Sequence, residues 1–438
     1  MFTVKTPEEV LNLLQELTLQ QQKTERVQLL KALGRVLAEP VRAAEYIPDF
    51  CRSTVDGYAV RGADTFGCSD SIPAILTQIG AVKMGESADM SVQAGTCAAV
   101  PTGGEVPAGA DAVVMKEYTE HYGDGTIGIS KSVSPGANMV YRGDDVFPGK
   151  MVLEAGRLLT AADLGALAAM GIEEVAVAKR PLVGIISTGD ELVPVCQKPG
   201  PGQVRDVNSS LLAAAAESFG GEGRPYGIIK DDETLLRTTL TQAVRECDCV
   251  LISGGSSVGE KDATCRVMAE LGTLLFHGIA MKPGKPTIMA MIDGKPVIGL
   301  PGHPGAAFFV AHIFVRPLLG RLQGENCVTR RINAVLTEPV SANHGRAQYT
   351  AVYLVPDERG VAAVPIHSKS GLISSLAGSD GYFEIPRNCE GFPAGSTVAV
   401  TGTFAWAIPI TIWIRRAGLF VTLKRHWRPA QVTRTPWN

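Results

Sequence analysis

The stretch Val250-Leu-Ile-Ser-Gly-Gly-Ser-Ser-Val-Gly-Glu-Lys-Asp262 decides the fold class of this 438-residue chain. A short apolar run ends in a loop of glycines and serines, and a helical pattern, Ala263–Leu271, follows directly. This order predicts a buried strand, a turn and a helix. Glycines let a ligand approach the backbone, and free amides and hydroxyls suit an oxyanion or a phosphate. The loop therefore predicts an anion site at the carboxyl end of a strand, with an ordinary glycine-rich turn as the alternative.

Strand and helix patterns alternate on both sides of this loop. The apolar runs predict strands at Leu182–Ser187, Pro225–Ile229, Val250–Ser253 and Pro296–Ile298, and the 3.6-residue patterns predict helices at Ser209–Phe219, Asp232–Glu246 and Ala263–Leu271. Such alternation is typical of a parallel sheet that helices cover on both faces. The predicted fold class is therefore a multidomain α/β protein.

The flanking regions have a different composition. Thr6-Pro7-Glu8-Glu9 predicts the start of a helix, and a second helix is predicted over Glu25–Ala38. Short β-like runs between turns predict a β-rich module over residues 44–148, and a similar pattern over 329–401 predicts a small barrel or sandwich. The expected domains are residues 1–43 with 149–178, 44–148, 179–328 and 329–401, followed by a tail at 402–438.

Composition excludes several classes of protein. The net charge of −3 argues against a nucleic-acid-binding surface, and we expect no membrane span because no apolar run reaches about 18 residues. The first ten residues lack a secretory signal, and nine scattered cysteines suit reduced thiols, so a cytoplasmic location is expected. The segment from Thr401 to the last residue contains all four tryptophans, six basic residues and no acidic residue. The residues before Thr401 therefore include 35 basic and 44 acidic side chains, which gives them a net charge of −9.

Several charged residues surround the predicted anion site. Lys282 and Lys285 flank a turn stiffened by prolines, and carboxylates follow three predicted strands at Glu191, Asp231 and Asp262. Carboxylates beside a phosphate cradle suggest Mg²⁺, although an aspartate at such a junction is most often a helix cap. The chain has no Walker motif, GxGxxG after the first strand, HExxH or GxSxG.

Six motifs in one order carry a family resemblance. They are Asp56-Gly-Tyr-Ala, Pro101-Thr-Gly, Ser187-Thr-Gly-Asp-Glu-Leu, Ser253-Gly-Gly-Ser-Ser-Val-Gly with Asp262, Lys282-Pro-Gly-Lys-Pro and Gly299-Leu-Pro-Gly-His-Pro. Together they resemble the molybdopterin molybdenumtransferases, which include MoeA in bacteria and the E domain of gephyrin in animals. The resemblance covers roughly residues 5 to 401.

The resemblance implies an elongated N-terminal domain with a β-rich insertion, a molybdenum-cofactor-type α/β domain and a C-terminal β-barrel. It implies a homodimer whose cleft is shared between the α/β domain of one subunit and the insertion of the other. The implied reaction takes adenylylated molybdopterin and molybdate, cleaves the adenylate with Mg²⁺ and releases AMP. Contact with a molybdopterin adenylyltransferase and with proteins that mature molybdoenzymes is also implied.

The same resemblance assigns roles to individual residues. The implied catalytic residues are Asp56, Thr102, Asp145, Glu191, Asp231 and Asp262, of which Glu191 and Asp262 would hold the metal. The implied substrate-binding residues are Gly254, Gly255, Ser256, Ser257, Gly259, Lys282, Lys285, Pro301, Pro304, Arg346 and Ser370.

The chain departs from the family pattern at three places. Cys51-Arg52-Ser53 stands where many members have Asp-Asn-Ser, and His303 replaces an asparagine. Ala351 stands where a second arginine is common, which would weaken or rearrange oxyanion binding if that arginine contacts molybdate. Two alternatives stay open: a non-catalytic scaffold of the same fold, and the related adenylyltransferase. The sequence does not distinguish molybdate from tungstate.

Overall fold

The computed structural model describes residues 4–19, 23–254, 263–326, 331–357, 360–367 and 369–403. The chain divides into two compact units. The first contains the residues up to Glu25, Gly34–Val36 and the residues from Ala178 onward, and the second contains Arg26–Leu33 and Leu37–Val177. Each unit has hydrophobic clusters of its own. Most of the basic tail, residues 404–438, lies outside the described residues.

The first helix, α1, spans Pro7–Glu16 as its capping signal predicts. The Thr6 hydroxyl accepts a hydrogen bond from the Glu9 amide, and the Glu9 carboxylate accepts one from the Thr6 amide. These two bonds satisfy amides that the first turn would otherwise leave free. Val10 and Leu14 are buried in the largest hydrophobic cluster of the first unit.

The second unit is rich in short strands. In chain order, the region from residue 24 to 178 contains β1 (Thr24–Gln28), a 3₁₀ turn (Leu29–Ala32), β2 (Val41–Arg42), β3 (Arg52–Ser53), β4 (Gly57–Val60), a 3₁₀ turn (Gly62–Thr65), β5 (Ala74–Ala81), β6 (Thr96–Val100), β7 (Ala112–Met115), a 3₁₀ turn (Lys116–Tyr118), β8 (Thr119–His121), β9 (Thr126–Ile129), β10 (Met139–Val140), β11 (Met151–Leu153), α2 (Ala161–Ala169) and β12 (Glu174–Ala178). Six strands form one sheet in the order β7-β4-β6-β5-β9-β8. This confirms the expected β-rich insertion.

The predicted helix over Glu25–Ala38 is wrong. Thr24–Gln28 forms β1, which pairs with β12, and only the 3₁₀ turn Leu29–Ala32 is helical. The chain then turns at Gly34, whose φ of +71° ends any helical path. The apolar residues at Leu29 and Ala32 pack against α2 and β12 instead of forming the face of a long helix.

The first unit continues with alternating strands and helices and ends in a second group of strands. It contains β13 (Leu182–Thr188), β14 (Leu192–Val193), β15 (Val204–Arg205), α3 (Val207–Ser218), β16 (Glu222–Ile229), α4 (Glu233–Glu246), β17 (Cys249–Ser253), α5 (Ala263–Leu271), β18 (Thr273–His277), β19 (Met281–Lys282), β20 (Ile288–Ile292), β21 (Lys295–Leu300), α6 (Pro304–Val310), a π turn (Ala311–Val315), α7 (Arg316–Leu322), β22 (Arg331–Leu336), β23 (Val340–Ser341), β24 (Ala347–Asp357), β25 (Gly360–Pro365), β26 (Gly381–Ile385), β27 (Gly391–Phe392) and β28 (Thr397–Gly402).

The central sheet has the strand order β16-β13-β17-β21-β20-β18. The first four strands run parallel, and β20 and β18 add antiparallel pairs. Neighbouring residues of one strand point to opposite faces, so Ile185 and Leu251 pack with α3 while Ile186 and Ile252 pack with α4 and α5. This confirms the predicted α/β domain with helices on both faces.

One helical stretch, Pro304–Leu322, is long and apolar enough to cross a membrane by length and composition alone. However, 67% of its apolar window is buried inside the protein. Its residues Phe309, Phe314 and Leu318 belong to the main hydrophobic cluster of the first unit. Packing in this core accounts for the apolar character of the helix.

The C-terminal strands close into a five-stranded barrel. The strand order is β24-β25-β22-β28-β26, and β26 pairs back with β24 to close the ring. A barrel removes the open edges that a flat sheet of this size would expose. Of the two predicted forms, barrel or sandwich, the barrel is therefore confirmed. β19 pairs with β24 from outside the ring and connects the α/β region to the barrel.

Candidate active site

Four parallel strands bring their following loops to one edge of the central sheet. The last residues of these strands are Thr188, Ile229, Ser253 and Leu300. Their register is tight, since Thr188 lies opposite Ile229 and Ser253 lies opposite Leu300. The loops that begin at residues 189, 230, 254 and 301 therefore emerge side by side. Open α/β sheets bind their ligands at such a carboxyl edge.

Gly254, the first residue after β17, lies against the backbone at the end of β13. Its φ is +100°, and a Cβ atom at this position would lie 2.0 Å from the carbonyl oxygen of Thr188. A Cβ atom built on Gly302 would lie 3.8 Å from the Cα atom of Gly254. The lack of a side chain at Gly254 lets the backbone after β17 approach the end of β13, and Gly302 lies within ordinary contact distance of Gly254. Backbone amides in glycine-rich loops of this kind can donate to an anion.

Carboxylates follow β13 and β16 at the same edge. Asp190, Glu191 and Asp231 are all exposed, and the Asp231 amide donates to Asp190 Oδ1 at 3.4 Å. The Glu191 carboxylate folds back over its own loop, where a Cβ atom on Gly189 would lie 2.6 Å from Glu191 Oε2. Asp232 instead caps α4 by accepting from the amides of Thr234 and Leu235. Asp190 was not among the sequence-predicted site residues, although it belongs to the Ser187–Leu192 motif and directly precedes Glu191.

A buried polar layer lies under this edge, and sequence reasoning missed it. Asn208, at the start of α3, is only 6% exposed. Its Nδ2 donates to Ser253 Oγ at 2.6 Å and to the carbonyl oxygen of Gly302 at 2.9 Å. The hydroxyls of Ser187 and Ser209 lie 2.9 Å apart. The polar pair Asn208-Ser209, which begins two residues after the capping Asp206, is the one signal in the sequence that could have indicated this layer.

The loop before the long apolar helix contacts a second loop near the barrel. Pro301 is buried and Pro304 is the first helical residue. His303 Nδ1 lies 3.1 Å from Ser370 Oγ, and the Gly305 amide donates to the Ser370 carbonyl at 2.8 Å. The structure therefore brings Pro304 and Ser370, two sequence-predicted binding residues, to one place.

The predicted cationic residues lie where β19 meets the barrel. Lys282 is exposed at the end of β19, and it lies opposite Gln348 of β24 in parallel register. Lys285 is half-buried in the following turn, and Arg346 is exposed just before β24. By contrast, Ala351 is 3% exposed and packs in the main hydrophobic cluster. A small apolar side chain suits that position.

The second unit contains the other three predicted catalytic residues. Asp56 Oδ1 accepts from the Thr102 amide at 2.7 Å and from the Thr102 hydroxyl at 2.9 Å. These bonds, first from the amide and then from the hydroxyl, lower the pKa of Asp56 below its usual range. Asp145 is exposed, and its carbonyl accepts from Lys150 Nζ at 2.6 Å. Asp56 and Thr102 thus form one hydrogen-bonded pair within this unit.

Gly255, Ser256, Ser257, Gly259 and Asp262 lie outside the described residues. Among the residues that are described, no group of three metal-ligating side chains was found. Mg²⁺ that binds with a phosphorylated substrate often takes only one or two protein carboxylates, together with phosphate oxygens and water. The exposed carboxylates of Glu191 and Asp190, in the loop after β13, fit this mode of binding.

Comparison with known proteins matches three successive regions of the chain. Residues 5–171 match the MoeA N-terminal region (domain I and II), residues 184–321 match the probable molybdopterin binding domain, and residues 333–402 match the MoeA C-terminal region (domain IV). A molybdopterin molybdenumtransferase of Staphylococcus epidermidis is 30% identical over 381 residues, which cover 86% of this chain and 91% of the relative. The chain belongs to the MoeA family.

Other members of the MoeA family agree with this assignment. A molybdopterin molybdenumtransferase of Nostoc sp. is 36% identical over 308 residues, which cover 69% of this chain and 70% of that protein. A crystal structure of the molybdopterin biosynthesis MoeA protein from Pyrococcus horikoshii OT3 has a TM-score of 0.81 and 36% identity, and covers 91% of this chain and 100% of its own. This MoeA family member is therefore a transferase of molybdenum cofactor biosynthesis.

Proposed function

We propose that this protein transfers molybdenum from molybdate to adenylylated molybdopterin, with Mg²⁺-dependent cleavage of the adenylate and release of AMP. The observation that carries the proposal is the close approach of two loops and a strand end at the carboxyl edge of the sheet. Gly254 packs on Thr188, and Gly302 lies against Gly254. Glycine-rich loops at such an edge, with exposed carboxylates nearby, suit a substrate that contains both a phosphoanhydride and an attached metal.

The division of roles follows from the kinds of group present. The loops that begin at Gly254 and Pro301 would bind the anionic portion of the substrate through amides and hydroxyls. Glu191 and Asp262 would hold Mg²⁺, which when bound neutralises phosphate charge during cleavage. Asp231 lies at the same edge and would position water or substrate. Of these acids, Asp262 is outside the described residues.

The oxyanion would bind where the lysines and the Ser370 loop lie. Lys282, Lys285 and Arg346 carry positive charge, and a dianion such as molybdate gains from such charge at short range. The Ser370 hydroxyl adds a neutral donor. Pro301 and Pro304 would hold the shape of the turn between the two parts of the site. This arrangement would reverse locally the negative charge of the chain body.

We further propose a homodimer in which the acids of one subunit's second unit complete the site on the α/β domain of the other subunit. Asp56 and Thr102 form a preorganised pair, with the Asp56 carboxylate kept ionised by two donors from Thr102. Such a group suits the orientation of a metal-bound water or of a substrate hydroxyl. Asp145 would act beside this pair. Contacts with an adenylyltransferase and with apoenzyme maturation proteins belong to the same proposal.

Purified full-length protein tests the proposal directly. We expect release of AMP and formation of molybdenum cofactor from adenylylated molybdopterin and molybdate, and a loss of both when Mg²⁺ is chelated. Glu191→Gln should lower the rate by about tenfold or more, because a neutral amide binds a divalent cation poorly. Glu222→Gln is the matched control, since Glu222 is an exposed glutamate at the opposite end of the sheet.

The two alternatives give different results in the same assays. A scaffold would release no AMP under any condition, and an adenylyltransferase would use molybdopterin with ATP. Turnover of molybdopterin and ATP, without use of the adenylylated compound, would contradict the proposal. A comparison of molybdate with tungstate would then define the preferred oxyanion.

A further inference from the structure

We propose that Asn208 is a positioning residue that holds the turn at Gly302 against the end of β17 and so sets the width of the substrate cradle. The effect on catalysis rests on the proposed function. The two hydrogen bonds of Asn208, to Ser253 and to Gly302, are here called the clamp, and they do not depend on that function. Asn208 touches neither the exposed carboxylates nor the lysines of the site in any hydrogen bond found in the described part of the chain.

The orientation of the Asn208 amide follows from its partners. The carbonyl oxygen of Gly302 can only accept, so the atom 2.9 Å from it must be the amide nitrogen. The same nitrogen lies 2.6 Å from Ser253 Oγ. Its two hydrogens are therefore directed to Ser253, at the end of β17, and to Gly302, in the turn after β21. A single side chain joins the end of β17 to the turn after β21.

The remaining polar atom of the Asn208 side chain takes no part in joining the two segments. Asn208 Oδ1 is buried and has no hydrogen-bond partner among the described residues. A buried polar atom without a partner is unfavourable, and in native proteins such atoms deserve a specific explanation. Only 6% of the surface of Asn208 is exposed, so the surrounding residues restrict its side-chain rotamer. The two donated bonds are what the side chain contributes.

The position of Gly302 matters because both parts of the proposed site depend on it. Gly302 lies against Gly254 on one side. The next residue, His303, contacts Ser370 on the other side, and Gly305 donates to the Ser370 carbonyl. A shift of the Gly302 turn would therefore move the amide cradle relative to the loop that carries Ser370. Displacements of this kind are costly in catalysis because reacting groups must be placed within a fraction of an ångström.

Asn208→Asp separates the two bonds. The Ser253 hydroxyl can donate to a carboxylate, so that contact can persist, whereas the bond to Gly302 is lost because a carboxylate has no donor. We expect kcat/KM for adenylylated molybdopterin to fall about ten- to a hundredfold, with most of the change in KM. Asn208→Ala removes both bonds and should lower kcat/KM at least as much.

Gln323→Glu is the matched structural control. Gln323 is 3% exposed, and its Nε2 donates to the carbonyl oxygens of Phe219 and Leu319, both at 3.0 Å. This change also removes a buried amide donor from two backbone acceptors, but beside the turn that precedes β16, at the far end of the sheet. It should lower the thermal midpoint of unfolding as Asn208→Asp does and leave KM unchanged.

Hydrogen exchange gives a readout that does not depend on turnover. In Asn208→Asp, peptides that cover residues 250–254 and 300–306 should exchange faster than in the wild type, and in Gln323→Glu they should not. If both variants keep wild-type KM and wild-type exchange at these peptides, the inference is wrong. If the wild type fails to make the cofactor while the exchange pattern is as expected, the proposed function falls and the clamp stands.

Discussion

Gly254→Ala tests whether the close contact between Gly254 and the Thr188 carbonyl shapes the proposed site. Two costs add at this position. A φ of +100° is unfavourable for a residue with a Cβ atom, by about 1–2 kcal/mol. The new methyl group would also lie 2.0 Å from the Thr188 carbonyl oxygen, and overpacking of a tight site costs about 1–3 kcal/mol. Thr188 belongs to β13, which is hydrogen-bonded on both sides, so the loop at residue 254 must move.

Gly227→Ala separates the two costs. Gly227 lies in a β-bulge of the same sheet with a φ of +87°, and a Cβ atom there would meet nothing within 4 Å. We expect it to lower the free energy of unfolding by about 1–2 kcal/mol and to leave AMP release unchanged. Gly254→Ala should lose more stability, about 2–5 kcal/mol in all, and should raise KM for the adenylylated substrate.

Urea unfolding followed by far-UV circular dichroism measures both variants. Dichroism is preferred to tryptophan fluorescence because all four tryptophans lie beyond residue 405 and would report on the tail. The midpoint of the transition and the slope are compared with the wild type. Equal midpoints and equal KM values for Gly254→Ala and Gly227→Ala would refute the role assigned to the contact between Gly254 and Thr188.

Four further outcomes are expected. Thr102→Ala should raise the pKa of Asp56 only part of the way to its ordinary value, because the amide donor remains, and NMR titration of the carboxyl group measures this shift. In the wild type, ionised Asp56 contributes stability at pH values above its unfolded pKa. That contribution is lost as the pH falls through the lowered pKa of the folded state. Asp163→Ala should lower the free energy of unfolding in urea by about 2–3 kcal/mol, because the carboxylate is only 5% exposed, caps the first turn of α2 and accepts a hydrogen bond from Arg157. A loss below about 0.5 kcal/mol would contradict the capping role. Phe314→Ala should lower the free energy of unfolding by about 3–5 kcal/mol, because it leaves a cavity in the main core. An unchanged urea midpoint would contradict the burial of Phe314 in that core. Truncation after Thr403 should keep the wild-type thermal transition, because β28 and the bonds of Thr403 to Ser379 and Asp380 remain; loss of folding would show that the basic tail is part of a core.

The alternating α/β region could be predicted from the sequence because its periodic patterns are local. The predicted helix Ala263–Leu271 agrees in both bounds, and the helix predicted from Asp232 begins one residue later, with Asp232 as its cap. Strand β16 begins three residues before the predicted Pro225. Its first residues, Glu222, Gly223 and Arg224, are held by pairing with β13 and have no apolar pattern of their own.

The wrong helix over Glu25–Ala38 shows where local patterns fail. Its apolar residues are compatible with a helix, but Thr24–Gln28 pairs with Glu174–Ala178, almost 150 residues away. Such pairing depends on the fold of everything between the two strands. Likewise, the candidate motif residues can be proposed from the sequence, whereas the contacts of Asn208 cannot be read from it. Its two partners, Ser253 and Gly302, are 45 and 94 residues away along the chain and are brought to it by the sheet.

The charges at the carboxyl edge explain why the proposed reaction would require a divalent cation. The loops at Gly254 and Gly302 have no charged side chain at these two glycines, while the nearby Asp190, Glu191 and Asp231 are exposed. Exposed carboxylates beside an amide cradle would repel a phosphoanhydride, and the lysines lie instead at the barrel side of the site. A cation between the carboxylates and the phosphates turns this repulsion into attraction. We therefore expect that removal of Mg²⁺ raises KM for the adenylylated substrate in the wild type, and that Glu191→Gln makes KM less sensitive to Mg²⁺.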